Sequence, residues 1–597
     1  MRTCLICLLL LLACPLIGQE CPTGHSITLS TQEAVDSFPI KYPDCRDIAG
    51  DLIIEGDDRD PITSLRGLNG LRSVSGSLFI RSTHLIDLSG LENLESVGDR
   101  LSLFNNDVLT SIEGLQNLRR VHSISINGHP GLKNLHGFSA QLDCRNIVIS
   151  RSDQLESLDG LSLSDTLETF YVSDNPNITR LGLDASTIVT DQIGLRNLPR
   201  LKSIASLRTD GSLSWASFTF LDSLQSLHGL ESLQSVGFMT IDNCHALTDL
   251  DGLQGLQSSS ECLFVGGTER QVIDHVDNKE GNQSLKSLDG LESLEEVRTF
   301  IVAYNDSLVD ISGLRNLESG SLVLFDNNGL RDIQQLPAGG ISLGLYIEQN
   351  QHLASIRSPE NPKALQTLIL SANPSLISIS GFNDLNRVQG DMLIEKNNQL
   401  EMLDGFKELQ TIAGSLIIRN NSQLKRFEGF RKLKNLRDQL DIGGNFLLSS
   451  LEGLDNIDPD VLEGLRIINN RSLSTCAILS VCRYLERSAK PRSIFGNAPD
   501  CNSPEKIQDK CSRVTTAVFD PIESPLRILP NPATELLQLS IQQPGRLRIF
   551  SASGQLQLDQ VYQPHQPVSI ARLPAGMYVA RLTTTQGGSY AGRFVKQ

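Results

Sequence analysis

The apolar positions of this chain fall into one short pattern that recurs along most of its length. Between Leu370 and Phe406 an apolar strand is followed by an Asn and then by Leu-x-x-Ile/Leu-x-Gly-Phe. Asn373, Leu376, Ile379, Gly381 and Phe382 fill the slots, and Asn397, Leu400, Leu403, Gly405 and Phe406 fill them again one unit later. The Gly-Leu/Phe marker falls at Gly67, Gly90, Gly114, Gly137 and Gly160, returns at Gly229, Gly252, Gly290 and Gly313, and ends with Gly381, Gly405, Gly429 and Gly453. Gly67, Gly90 and Gly114 stand 23 and 24 residues apart, and most neighbours keep that interval. A fixed period of this size is the signature of a solenoid. Two wider intervals hold degenerate units, Leu181-Gly182-Leu183 and Ile204-Ala205-Ser206-Leu207 in one and weak copies near Leu336 and Ile356 in the other. Counting these, the array has about 17 turns and is roughly 80 Å long at about 4.8 Å per turn.

Each unit has a physical reading. Strands such as Leu101-x-Leu103, Phe170-x-Val172 and Leu322-x-Leu324 send alternate residues into a core. The Asn that follows (Asn106, Asn175, Asn305, Asn327, Asn350, Asn373, Asn397, Asn421, Asn445) sits where the backbone turns, and a buried Asn is tolerable only if its amide is bonded to neighbouring backbone. His129 and Cys244 occupy Asn slots, and the units around Leu183 to Leu221 fit the pattern poorly. The residues between the inward ones point outward. They include Phe79, Phe104, Tyr171, Tyr304, Phe325 and Tyr346, a row of aromatic side chains suited to contacting a protein or a sugar. An insertion of about 15 residues, 266–283, follows the strand Leu263-Phe264-Val265, and loops on repeat scaffolds are places where function collects.

Composition and charge narrow the classes. A chain of 597 residues exceeds one compact core, and the low aromatic content, 5%, suits a regular stack better than a globular enzyme. A net charge of -17 disfavours nucleic acid and anionic membrane surfaces as partners. The N-terminus, one Arg followed by a short apolar run and small residues near Gly18, reads as a secretory signal peptide over 1–18; a lipoprotein cleavage at Cys14 is the alternative, with Leu12-Ala13 an imperfect match. No later segment is apolar enough to span a bilayer. Export makes disulfides expected: Cys21 and Cys45 in an N-terminal cap over 19–50, and Cys476, Cys482, Cys501 and Cys511 in a C-terminal cap over 474–513, where the pairing stays open among three choices. A zinc site in that cap is disfavoured because the spacing lacks Cys-x-x-Cys. Cys144, Cys244 and Cys262 are expected as packed free thiols, with a Cys244–Cys262 bridge as the alternative.

The Leu/Asn periodicity over residues 51–473 resembles leucine-rich repeats. Its variant Leu-x-x-Leu-x-Gly-Leu-x-x-Leu-x-x-Val-x-Gly-x-Leu-x-Ile, visible from Leu85 to Leu103 and from Leu400 to Ile418, is similar to the receptor L domain. The resemblance implies a mainly β, right-handed solenoid with capped ends. After a linker at 514–525 the pattern changes to short alternating strands punctuated by Gly and Pro, as in a small antiparallel β-sandwich. Over 526–597 the tail resembles the C-terminal sorting domain of the type IX secretion system of Bacteroidetes-type bacteria. Pro530-Asn531-Pro532-Ala533 fits its opening motif, the segment ending at Gly554 its central strand and turn, Leu573 to Val579 with Gly576 and Tyr578 its Leu-x-x-Gly-x-Tyr segment, and Phe594-Val595-Lys596 its terminal strand. That resemblance implies transport across the outer membrane, with the secretion machinery as a partner of the tail.

The chain shows no nucleophile elbow, no His-Glu-x-x-His and no phosphate loop, so no catalytic residue, metal or cofactor is assigned. The scattered histidines, His129 and His136 among them, lack a ligand set, and the acidic run Glu55 to Asp60 lacks the alternation of a calcium loop. The expectation is a secreted or cell-surface recognition protein that binds a protein or glycan through its solenoid. The alternative is a structural component of the cell envelope or biofilm matrix; a surface hydrolase would need a catalytic domain for which no stretch is left.

Overall fold

The alternation within each unit closes into one parallel ladder. Strand Leu368–Leu370 lies in register on Met392–Ile394, which lies on Leu416–Ile418, each turn supplying two inward apolar side chains at the same height. The structure is a computed structural model and describes residues 21–597 except 23–25, 57–58, 139–140, 164–165, 184–186, 268–280, 338, 340–341, 358–361, 487–489, 515–523, 552–554 and 585–588. The signal peptide, the linker at 515–523, most of the insertion, part of the acidic run and Gly554 therefore lie outside the described residues. The chain divides into two units, 1–511 and 512–597.

The first unit is a β-solenoid of about 19 turns. The excess over the 17 expected comes from the ends, where both cysteine-bearing segments add a strand to the ladder. Ser26–Leu29 pairs in parallel with Asp51–Glu55, and Arg492–Phe495 extends Gly464–Ile468. Beyond the first strand, the helix Gln32–Lys41 starts at Thr31, whose hydroxyl accepts from Ala34 N, and buries Val35 and Phe38 over the open end. Helices Leu479–Leu485 and Pro504–Val514 stand at the other end. Disulfides join Cys21 to Cys45, Cys476 to Cys501 and Cys482 to Cys511, which settles the open pairing. Cys144, Cys244 and Cys262 form no disulfide, so Cys244 and Cys262 are not bridged. Burial pushes the Cys144 thiol up to about 12, a packed and unreactive group.

Inside, the core is a column of Leu, Ile, Val and Phe, with Phe382, Phe406 and Phe430 stacked at 5.5 and 5.3 Å between centroids. The marker glycines are required by close approach of adjacent turns. A Cβ on Gly405 would lie 2.2 Å from the Ile379 carbonyl oxygen of the turn before. The Asn slots form a hydrogen-bonded ladder along the whole C-terminal half. The amide N–H of Cys244 donates to Asn282 Oδ1 at 2.9 Å and that of Asn282 to Asn305 at 3.1 Å, and the relay continues to Asn470, Asn497 and Asn502. Most ladder residues, Asn305 to Asn497 among them, directly follow a left-handed corner. The corner residue can be Asn105, Phe220 or Lys396, at φ 49–56°, so its identity gives no sequence signal.

His129 fills one slot with a neutral imidazole. It is fully buried and its Nδ1 lies 3.4 Å from the Asn106 carbonyl oxygen. Burial holds its pKa below the ordinary histidine value. A depressed histidine stabilises the fold above the unfolded value, about 6.5, and loses that contribution as pH falls from there toward the folded value, because the unfolded chain takes up a proton the folded one resists. His129→Asn is therefore expected to flatten the acid limb of the stability curve. Urea unfolding at pH 7 and pH 5 checks it: the difference between wild type and variant should grow at pH 5, by up to about 1.4 kcal/mol per pH unit.

The second unit pairs a five-stranded sheet, led by Gly545–Ser551, Gly576–Thr584 and Ser589–Lys596, with a three-stranded one. Its own core is formed by residues between Leu526 and Phe594, including Leu537, Ile549, Tyr562 and Leu582.

Candidate functional sites

The outward residues of the ladder stand in columns, because every strand is in register with the next. Phe79, Tyr171 and Tyr346 share one column. It passes from Phe79 through Ser102, Ser125 and Val148 to Tyr171, then through Gly194, Ser217 and Thr240 toward Phe264, Ile301, Val323 and Tyr346. Phe104 and Phe325 lie in the column beside it. The six aromatics expected to form one exposed row are thus dispersed, and they differ in access. Phe104 is 42% exposed, and Phe79, Tyr171 and Tyr346 are half-buried. Tyr304 and Phe325 are buried, at 3% and 4%, which corrects their assignment as exposed contacts. Tyr304 lies past the end of its strand, at a left-handed corner, and packs edge-on against Phe325 at 5.7 Å. Together with Phe264, Ile301 and Ala303 they make a second small apolar cluster outside the main core.

One of the six acquires a partner. Across the strand Val189–Arg196, Tyr171 faces Trp215, the only tryptophan of the chain, with ring centroids 6.4 Å apart and planes tilted by 33°. Gly194 lies between the two rings. A Cβ there would come within 2.3 Å of Tyr171 Cδ2 and 2.8 Å of Trp215 Cζ3, so the rings settle against the sheet only because the position is glycine. Val148, Thr169 and Gln192 complete a shallow depression of about 460 Å³. Trp215 was passed over in the sequence because its turn is one of the degenerate ones, although a lone Trp at an outward strand position is a legible signal. Farther along the face Asp441 is wholly buried beneath the guanidinium groups of Arg419 and Arg466, a closed ion-pair cluster.

In the second unit the tail motifs, distant in sequence, meet around the last strand. Asn531 Nδ2 donates to the Arg593 carbonyl at 3.0 Å, and Val595 N donates back to Asn531 Oδ1 at 2.9 Å. Pro530 and Pro532 flank that Asn, and Ala533 N donates to Val595 O while Gln597 N donates to Ala533 O. Gly576 is the register partner of Lys596, and Tyr578 stacks on Phe594 at 5.5 Å while its hydroxyl donates to Pro574 O. The opening motif and the Leu-x-x-Gly-x-Tyr segment thus both act on one terminal strand.

Comparison with known families agrees with that geometry. Residues 527–597 match the secretion system C-terminal sorting domain. The sorting domain directs secretion to the cell surface in Bacteroidetes and implies contact with the secretion machinery. Residues 44–134, the first turns of the solenoid, match the receptor L domain. Among solved structures, a leucine-rich repeat protein from Bacteroides ovatus is similar at 12% identity, over 65% of this chain and 79% of that one, with a TM-score of 0.22. No curated protein matches the chain. Among the described residues no helix is long and apolar enough to cross a membrane.

Proposed function

We propose that this secreted protein is a recognition scaffold that binds a protein or glycan partner at the cell surface through the outward face of its solenoid, and that it catalyses no reaction. The observation that supports this reading is the division of labour along the ladder. Inward positions carry the core, and the Asn relay or direct backbone bonds carry the turns, which leaves outward side chains such as Tyr171 and Trp215 outside the core. A preformed surface of this kind loses little ordering entropy on association. Repeat and L-domain families typically serve as binding scaffolds. The test is a glycan and surface-protein array probed with the purified chain, run beside activity screens on polysaccharides and peptides. Saturable capture without turnover is expected; turnover of any substrate by the purified protein would overturn the reading.

A further inference from the structure

The Tyr171–Trp215 pair has the chemistry of a sugar platform. Two rings tilted toward each other over Gly194 offer an apolar floor wide enough for the C–H face of a pyranose. Around that floor stand hydrogen-bonding groups without charge: the Tyr171 hydroxyl, the Trp215 indole N–H, the Gln192 amide and the Thr169 hydroxyl. A depression of about 460 Å³ falls within the ~300–1,000 Å³ typical of small-molecule sites. A protein hot spot would call for a desolvated apolar centre inside a wide contact patch. Here the pair stands at the edge of the apolar residues and not at their centre: Gly194 is followed in its column by Ser217 and Thr240, Trp215 is followed in its own by Phe238, and Thr169 is preceded by Asn146 and Ser123. Ring faces for C–H groups, encircled by neutral donors and acceptors, are complementary to a neutral sugar and offer nothing to balance a carboxylate or a sulfate.

We propose that Tyr171 and Trp215, held flat by Gly194 and rimmed by Gln192 and Thr169, bind a neutral pyranose unit of a surface or matrix glycan. The proposal rests on the recognition reading and names its ligand class. One site of this size gives weak affinity, with a Kd on the order of 1 mM for a single sugar ring.

Because Trp215 is the only tryptophan, its emission reports on this site alone. The full chain is titrated with neutral gluco-, manno- and galacto-oligosaccharides while tryptophan fluorescence is followed. A saturable change with at least one of them is expected. It should be lost in Tyr171→Ala and in Gly194→Val, which leave the reporter in place. Both variants are expected to fold, since Val148 already occupies the equivalent position two turns earlier. Isothermal titration should show the same loss in Trp215→Ala, and circular dichroism should show native folding for all three variants. A flat response to the whole series, or a response that survives in Tyr171→Ala and Gly194→Val, overturns the proposal. Capture of a glycan or protein on the array that these variants leave intact removes the site while the recognition reading stands; no capture by wild type removes both.

Discussion

Asn397→Ala is expected to destabilise the solenoid by about 3–5 kcal/mol, near the top of the range for a single substitution. The wild-type side chain is fully buried and acts in both directions. Its Oδ1 accepts the Asn373 N–H at 3.1 Å, and its Nδ2 donates to the Leu370 carbonyl at 2.9 Å and to Asn421 Oδ1 at 3.4 Å. Truncation leaves the Asn373 N–H and the Leu370 carbonyl without those partners in a site closed to water, at about 1–3 kcal/mol each. The relay adds to the effect, because each amide in it is oriented by the next. Urea unfolding followed by circular dichroism should show a midpoint well below wild type, whereas Asn398→Ala, at the exposed neighbour, should change it by less than about 0.5 kcal/mol. Equal effects of the two substitutions would refute a structural role for the ladder. In a stack whose turns touch only their neighbours, the loss should also sharpen local opening near Leu370 and Ile394, readable by hydrogen exchange.

The same ladder shows why part of this fold was legible in the sequence. Units with Asn373, Asn397 and Asn421 repeat at a constant interval with one apolar pattern, and residues of that kind have a single physical use in a stack. Asn282 was missed because the insertion before it breaks the interval, and Asn470 and Asn497 because they lie where the array merges into its cap. The left-handed corners were invisible because Phe220 and Lys396 are not residues that announce such a conformation. The outward face followed a different logic. Its residues carry no periodic constraint, so an aromatic in a strand says nothing about what covers it, and Tyr304 and Phe325 proved buried. The units that fitted the repeat least hold the one aromatic pair gathered around a glycine. There the Asn slots are taken by Leu198 and Leu221, whose N–H groups bond the Phe220 and Asn243 carbonyls directly. Departure from local consistency at a site that serves something other than folding is what the economy of a repeat protein leads one to expect.

Removing residues 526–597 is expected to abolish surface delivery while leaving the solenoid folded with its three disulfides. The tail closes its own core from residues 526–594, and the disulfide at Cys511 ends the first unit before the tail begins. Cell fractionation with surface protease treatment should find the truncated chain in the periplasm and protected; its appearance on the surface would refute the role of the sorting domain. A finer substitution separates the motif geometry from the domain as a whole. Asn531→Ala removes the two side-chain hydrogen bonds to Arg593 and Val595, a loss of about 1–3 kcal/mol confined to the end of the terminal strand. The five-stranded sheet retains its register from Gly576 to Thr583 on Ser589 to Lys596, so the tail should stay folded while the end of its last strand frays. If the machinery reads that strand as presented by the opening motif, Asn531→Ala should lower the delivered fraction severalfold without lowering total protein. Delivery at the wild-type level would show that the terminal strand is held well enough by the Tyr578–Phe594 stack and the sheet alone.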